Sequence, residues 1–129
     1  DSLDWHDATI HGLFFNPEKF EFILQIDFIV EWIQPTEKGG AYSFKIAPAT
    51  LVFKNAYNIS IQLEPYGDIQ VDNITRTNPQ KPRNAELLSD KEWNWVIDCN
   101  YGQICFTALD FNLTLLQEPF ISTCELPCP

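Results

Sequence analysis

The sequence predicts a single all-β domain, either an antiparallel β-sandwich or a partly open β-barrel of about eight strands. Apolar and polar residues alternate along most of the chain, which is the period of a strand. No segment shows the 3.6-residue period of a capped helix. Alternating runs recur about 8–12 residues apart with turn residues between them. The 129 residues contain no repeat or linker, so residues 1–129 are predicted to form one domain.

The first predicted strand covers residues 8–15 and is followed by the turn residues Asn16-Pro17-Glu18-Lys19. A longer strand comes next, because every second residue from Phe20 to Trp32 is apolar. Its other face also carries Ile23 and Ile29, which predicts a central strand that is partly covered on both faces.

Residues 34–40 read as a polar loop, and a new alternating run begins at Tyr42. Pro48 has no N–H to donate to a sheet, so we expect it to end this strand or to lie at an edge or a bulge. Extended character resumes over residues 50–54. A regular one-sided strand follows at Tyr57–Leu63.

The turn Pro65-Tyr66-Gly67-Asp68 leads to a shorter strand at residues 69–74. Alternation then fails, which predicts an irregular loop over residues 77–91. The next strand, Trp93 to Cys99, ends at Asn100-Tyr101-Gly102-Gln103, which has the composition of a hairpin turn.

Two further runs, residues 104–109 and 111–115, complete the predicted sheet, and residues 118–129 form a tail rich in proline and cysteine. The predicted core consists of alternating apolar residues from several strands. These are Phe22, Leu24, Ile26, Phe28, Tyr57, Ile59, Ile61, Trp95, Ile97, Phe106 and Leu113.

The charge balance is strongly acidic, with 8 basic and 18 acidic residues and a net charge of −10. Such a body repels phosphate backbones, so nucleic acid is not expected as a partner. The longest apolar run, residues 20–33, is interrupted by charges and falls short of the ~18 apolar residues that a membrane span needs. No membrane partner is therefore predicted, and the sequence leaves the oligomeric state open.

Four cysteines, Cys99, Cys105, Cys124 and Cys128, have spacings that differ from the C-x2-C pairs of zinc and redox sites. Free structural thiols are favoured, while a disulfide such as Cys124 to Cys128 and a zinc site stay open. The first residues lack the features of a signal peptide, although a signal that had been removed would leave no trace.

Both histidines lie in the segment Trp5-His6-Asp7-Ala8-Thr9-Ile10-His11. On a strand Asp7 and His11 would share one face and His6 the other, which disfavours a metal site. We expect His6 and Asp7 to fix the start of the first strand by hydrogen bonds, with Trp5 closing one end of the core. Neither a nucleophile elbow nor a phosphate-binding loop is present. We therefore assign no catalytic residues, metal or cofactor, and a non-enzymatic protein is favoured.

Trp93 and Trp95 lie on one face of their predicted strand and are most simply core residues. The alternative is a small-ligand or hydrolytic pocket between sheets, lined by Trp93, Trp95 and Tyr101, with His6 and Asp7 as further candidates.

Acidic residues could form a solvated face or a negative surface that meets a basic protein partner. The positions in question are Glu21, Asp27, Glu31, Asp68, Asp72, Glu86, Asp90 and Glu92.

Two motifs give the chain a family resemblance. They are Trp5-His6-Asp7-Ala8-Thr9-Ile10, and Trp93-x-Trp95-x-Ile97-Asp98 with the later Ile104-x-Phe106. The chain resembles small uncharacterised bacterial β-rich proteins that open with His-Asp-Ser/Ala, some of which are grouped with the immunity proteins of toxin systems. The resemblance implies a cytoplasmic binding protein without catalytic residues. Our leading hypothesis is accordingly a bacterial protein that neutralises a basic toxin through an acidic and aromatic surface.

Overall fold

The computed structural model describes residues 5–33, 43–82, 91–118 and 120–123, and its regular elements are strands. The described residues contain nine of them: β1 (Thr9–Asn16), β2 (Glu21–Ile33), β3 (Ser43–Phe53), β4 (Tyr57–Leu63), β5 (Ile69–Gln80), β6 (Glu92–Cys99), β7 (Gly102–Ala108), β8 (Phe111–Leu115) and β9 (Phe120–Thr123). The predicted all-β class is confirmed.

The strands form one antiparallel sheet in the order β4-β7-β6-β5-β1-β2-β3-β8, and β9 pairs with β3 beyond the end of β8. The outermost strands β4 and β8 do not pair with each other, so the sheet is open, as expected for a sandwich or a partly open barrel. β1 and β5 share only two residue pairs, Thr9 with Gln70 and Ile10 with Ile69. The narrow joint divides the sheet into two halves that pack face to face.

Aromatic rings from both halves fill the space between them. Phe53 on β3 is fully buried, with its ring centroid 5.0 Å from that of Trp95 and 4.6 Å from that of Phe106. Phe22 on β2 lies 5.0 Å from Phe106 in the same way. The rings meet at steep angles, the arrangement that aromatic quadrupoles favour. The space between the halves is therefore a packed core.

The predicted core is mostly correct. Seven of its residues are buried: Phe22, Leu24, Ile26, Phe28, Trp95, Ile97 and Phe106. Ile59 and Leu113 are half-buried and pack against this core, and Tyr57 is also half-buried. The prediction for Ile61 is wrong, since this side chain is 49% exposed. β4 is an outermost strand of the described sheet, with β7 beside it, so Ile61 lies at the margin of the core and its side chain stays partly in solvent.

Pro48 does not end its strand, place it at an edge or mark a bulge, because β3 runs through it between β2 and the pair β8 and β9, and its register with β2 is continuous at Asp27. The carbonyl of Pro48 accepts a hydrogen bond from the Leu116 N–H at 2.8 Å. The N–H and C=O of a strand residue point to the same side. The side of Pro48 that lacks an N–H therefore faces β8 and β9. It lies at a break in the pairing, between Ala49–Phe53, which pairs with β8, and Ser43–Ile46, which pairs with β9.

The predicted loop at 77–91 is wrong for its first residues, because β5 continues to Gln80. Residues 83–90 of that loop, and 124–129 of the predicted tail with Cys124 and Cys128, lie outside the described residues. In the part of the chain that the structure describes, no helix is long and apolar enough to cross a membrane.

Candidate functional site

The sequence-predicted site residues do not form one site. Trp93 and Trp95 lie together on β6, where both rings contact the guanidinium group of Arg76. Tyr101 lies in the turn after β6, six positions beyond Trp95, which is about 20 Å along an extended strand. Its ring contacts that of Tyr66. The predicted pocket of tryptophans and Tyr101 is thus split between the two ends of β6.

His6 and Asp7 lie just before β1, next to Trp5. Trp5 is buried and packs against Phe28 with the ring centroids 5.2 Å apart. The Asp7 N–H donates to the carbonyl of Val71 at 2.8 Å, and the His6 ring nitrogen is 3.4 Å from the Asp7 carboxylate. The Asp7 bond ties the start of β1 to β5 and the Trp5 ring packs on β2, which fits a structural role for the segment.

Tyr66 is the most exposed large side chain of the β4–β5 loop. It is 89% exposed, and its ring lies edge-on to Tyr101, with centroids 6.0 Å apart and planes at 70°. The Tyr101 hydroxyl lies over Gly67, where an added Cβ would be 3.3 Å away. We call these two tyrosines, with Glu64 and Asp68 near Tyr66 in the chain and Asp72 and Asp98 on the adjoining strands, the tyrosine surface.

Hydrogen bonds hold the β4–β5 loop against the β6–β7 turn. The Glu64 N–H donates to the carbonyl of Tyr101 at 3.1 Å. Asn100 makes three more links: its N–H donates to the Gln70 carbonyl, its Oδ1 accepts from the Gln70 N–H, and its Nδ2 donates to the Asp68 carbonyl, each at 3.0 Å. The backbone that carries the two tyrosines is therefore held in place in the free protein, which reduces the entropy lost on binding.

The charge around the two tyrosines has one sign. Glu64, Asp68 and Asp72 are exposed, and Asp98 is half-buried. In the sequence, no lysine or arginine occurs between Lys54 and Arg76, nor after Lys91. The chain segments that form the tyrosine surface thus carry carboxylates without a basic side chain among them.

Two of these carboxylates act on a neighbouring thiol. Cys99 is buried at the end of β6, and it and Cys105 are free thiols. Burial, and then the negative charges of Asp72 and Asp98, raise the pKa of the Cys99 thiol from 9.0 to about 11. Cys99 is accordingly an un-ionised structural thiol at neutral pH.

Cys99 gives a pH-dependent contribution to stability. In the unfolded chain its thiol ionises above pH 9.0, whereas in the folded protein it keeps its proton to about pH 11. Between these values the unfolded state binds fewer protons, so the stability falls as pH rises, and below pH 9.0 the contribution is constant. We expect urea unfolding of Cys99→Ala to lose this part of the alkaline slope, while Cys105→Ala retains it. An identical slope in Cys99→Ala and the parent would contradict the assignment.

A second feature is a cleft of about 460 Å³ at the other end of β6, which we call the arginine cleft. It is lined by aromatic and aliphatic side chains together with one guanidinium and one carboxylate, and the two charged groups are the more exposed part. The lining residues are Trp5, Ile74, Arg76, Trp95, Asp110 and Phe111.

Two rings and a carboxylate hold Arg76 in place. Its guanidinium carbon is 4.0 Å from the centre of the Trp93 ring and 5.6 Å from that of Trp95, which are cation–π distances. Arg76 Nη1 donates to Asp110 Oδ2 at 3.3 Å. The other Asp110 oxygen, Oδ1, accepts from the Phe111 N–H at 2.9 Å. The two charged groups are thus oriented before any ligand arrives.

The predicted acidic face is only partly correct. Asp68 and Asp72 are exposed, whereas Glu21 and Asp27 are half-buried. Asp27 Oδ2 is 2.7 Å from the His11 ring. The side chains of Glu31, Glu86 and Asp90 lie outside the described residues.

The prediction that Glu92 belongs to an acidic surface is wrong, because its side chain is buried and only 1% exposed. Its carboxylate accepts hydrogen bonds from the Tyr57 hydroxyl and from Gln80 Nε2, the latter at 2.6 Å. These partners offset the cost of burying the side chain. Glu92 is therefore an interior group.

Sequence reasoning missed Tyr66, Arg76 and Asp110 as site residues. The sequence does contain a signal for Tyr66: it lies between proline and glycine in a predicted turn, where a large aromatic side chain is expected to be exposed although no core packing requires an aromatic residue there. Arg76 and Asp110 had none, because their meeting depends on the pairing of β5 with β6. Among the described residues, no three His, Cys, Asp or Glu side chains are grouped so that they could hold a metal ion.

Comparison of the chain with protein-family models, with curated proteins and with solved structures gave no match.

Proposed function

We propose that the chain is a non-enzymatic bacterial binding protein of the cytoplasm, which recognises a basic protein partner through the tyrosine surface. The observation that carries the proposal is the 89% exposed ring of Tyr66, packed against Tyr101 in a segment without basic residues. A large ring left in water gains free energy when a partner covers it. Tyrosine is one of the residue types that are enriched among interface hot spots.

The carboxylates supply the other part of recognition. A net charge of −10, with Glu64 and Asp68 exposed beside Tyr66, attracts a basic protein over distance and accelerates encounter. The same tyrosine ring offers its face to an arginine or lysine of the partner. Because the supporting loop is already fixed, the surface suits a tight complex.

The partner class we propose is a basic toxin, which the protein would neutralise by covering its active surface. Support for this class comes from the resemblance of the Trp5-His6-Asp7 and Trp93-x-Trp95 segments to proteins grouped with immunity proteins. A neutralising protein needs tight binding but no catalytic residues, which agrees with the lack of a recognisable catalytic set in the sequence.

The direct test is a calorimetric titration against the product of the gene next to that of this chain, at ionic strengths below and above about 0.1 M. We expect binding that weakens as salt is added. Tyr66→Ala should lower the affinity at least about 30-fold, the effect of a hot-spot residue. Glu64→Gln combined with Asp68→Asn should lower the affinity at low salt and reduce its salt dependence.

Matched controls are Phe14→Ala, which removes an exposed ring elsewhere, and Glu118→Gln, which removes an exposed charge elsewhere. Both should change the affinity less than about twofold, since they lie outside the proposed contact. The proposal fails if the neighbouring product does not bind, if binding is insensitive to salt, or if Tyr66→Ala binds as tightly as the parent.

A further inference from the structure

We propose that the arginine cleft binds a neutral saccharide of one or two rings, a property separate from the protein binding proposed above. The cleft, at about 460 Å³, lies within the ~300–1,000 Å³ range of small-molecule sites. It combines aromatic walls with one donor group and one acceptor group that are fixed side by side.

The aromatic part of the cleft is rigid. Trp95 donates its indole N–H to the carbonyls of Ala108 and Leu109, both at 3.2 Å, so the ring cannot turn. Phe111 is held between Trp5 and Trp95, with ring centroids 5.4 and 5.9 Å away. Phe111 is half-buried, so its ring can gain dispersion energy against the C–H face of a sugar ring, while the buried Trp5 and Trp95 hold it in place.

The polar part of the cleft matches hydroxyl groups. Arg76 has five N–H donors and uses one of them on Asp110, so the other directions can donate to a ligand. Asp110 is acceptor-only and its side chain is 66% exposed, so it can accept further hydrogen bonds. A hydroxyl group donates and accepts at once, and adjacent hydroxyls on one sugar can therefore satisfy both side chains together.

Charge selects a neutral ligand. Arg76 and Asp110 cancel each other within the cleft, while the whole protein carries −10, which repels an anion such as a sugar phosphate. A zwitterionic amino acid would have to separate the Arg76–Asp110 pair in order to reach both charges. A diol contacts both groups without breaking their ion pair. The neutral polyhydroxyl compound is thus the ligand class that fits.

The test is a two-dimensional NMR titration with a panel of neutral sugars, namely glucose, galactose, mannose, N-acetylglucosamine, maltose and cellobiose. At least one should bind with a dissociation constant on the order of 1 mM, as expected for a ligand of about a dozen heavy atoms or more. The indole N–H signals of Trp5 and Trp95 and the amide of Phe111 should shift, while the amide of Tyr101 should not. Glucose 6-phosphate and glycine serve as the charged probes.

Asp110→Asn keeps the size of the side chain and should lower the sugar affinity at least about tenfold, because a charged acceptor is lost. The thermal midpoint should change little, because the asparagine amide oxygen can still accept from the Phe111 N–H and the lost ion pair with Arg76 is solvent-exposed. Glu18→Gln is the matched control for an exposed charge outside the cleft. The proposal is overturned if no sugar shifts these signals at about 0.1 M, a hundred times the expected dissociation constant. Shifts centred elsewhere, or tighter binding of glucose 6-phosphate or glycine than of every neutral sugar, would equally overturn it.

Discussion

Replacing Phe53 by alanine is expected to lower the free energy of unfolding by about 3–5 kcal/mol, the range for a buried phenylalanine whose cavity cannot close. Phe53 is fully buried and lies within ring-contact distance of Trp95, Phe106 and Phe111. These rings come from both halves of the sheet, so the cavity would open between them. Because proteins of this size have about 5–15 kcal/mol of stability, the loss is a large part of the total.

Urea unfolding followed by tryptophan fluorescence measures this effect, since Trp95 is one of the affected rings. Phe14→Ala is the control, because Phe14 is 47% exposed and its loss should change stability by less than about 1 kcal/mol. If Phe53→Ala and Phe14→Ala were equally stable, the two halves would not be packed through Phe53 as described.

The strands were predictable because their cause is local. Alternation from Phe20 to Trp32 identified β2, and its apolar second face at Ile23 and Ile29 identified it as a central strand. The exposure of Ile61 was not predictable in this way. Alternation shows which face of a strand is apolar, but only the tertiary arrangement decides whether another layer covers that face.

Pro48 is a second case in which the tertiary arrangement, and not the local sequence, decides the outcome. The residue type correctly implied that a ladder hydrogen bond is missing at this position. It did not imply that the strand ends, because a gap between two neighbouring strands accommodates the missing N–H. Where the gap lies depends on residues 111–123, far along the chain.

The candidate sites were less predictable than the fold, since each needs residues that are distant in sequence. The sequence predicts Tyr101 as a site residue, but its partner Tyr66 lies in the β4–β5 loop, which comes close because β4 pairs with β7. The sequence also predicts Trp95, yet the cleft beside it depends on Arg76 from β5 and Asp110 after β7. The sequence therefore indicated which residue types could form a site, while the strand order determined which other residues lie next to them.

Substitution of Gly102 by alanine is expected to reduce stability by about 2–5 kcal/mol and to disrupt the tyrosine surface. Gly102 has a φ of 142°, a conformation that side chains rarely adopt, and an added Cβ would lie 1.9 Å from the Gln62 carbonyl oxygen. That atom is backbone of β4, so relief requires β4 to move away from β7. Movement there would pull Glu64, whose N–H bonds the Tyr101 carbonyl, away from the β6–β7 turn.

Gly67→Ala is the matched control, because its added Cβ would meet only the Tyr101 hydroxyl, at 3.3 Å, and its φ is not positive. A small shift of the tyrosine ring relieves that contact, so the expected cost is less than about 1 kcal/mol. Urea midpoints and the NMR signals of Tyr66 and Tyr101 measure both effects. If Gly102→Ala were as stable as Gly67→Ala, with unchanged tyrosine signals, β4 could not pair with β7 in the register that brings the two tyrosines together. The proposed binding surface would then lose its structural basis, while the arginine cleft at the other end of β6 would be unaffected.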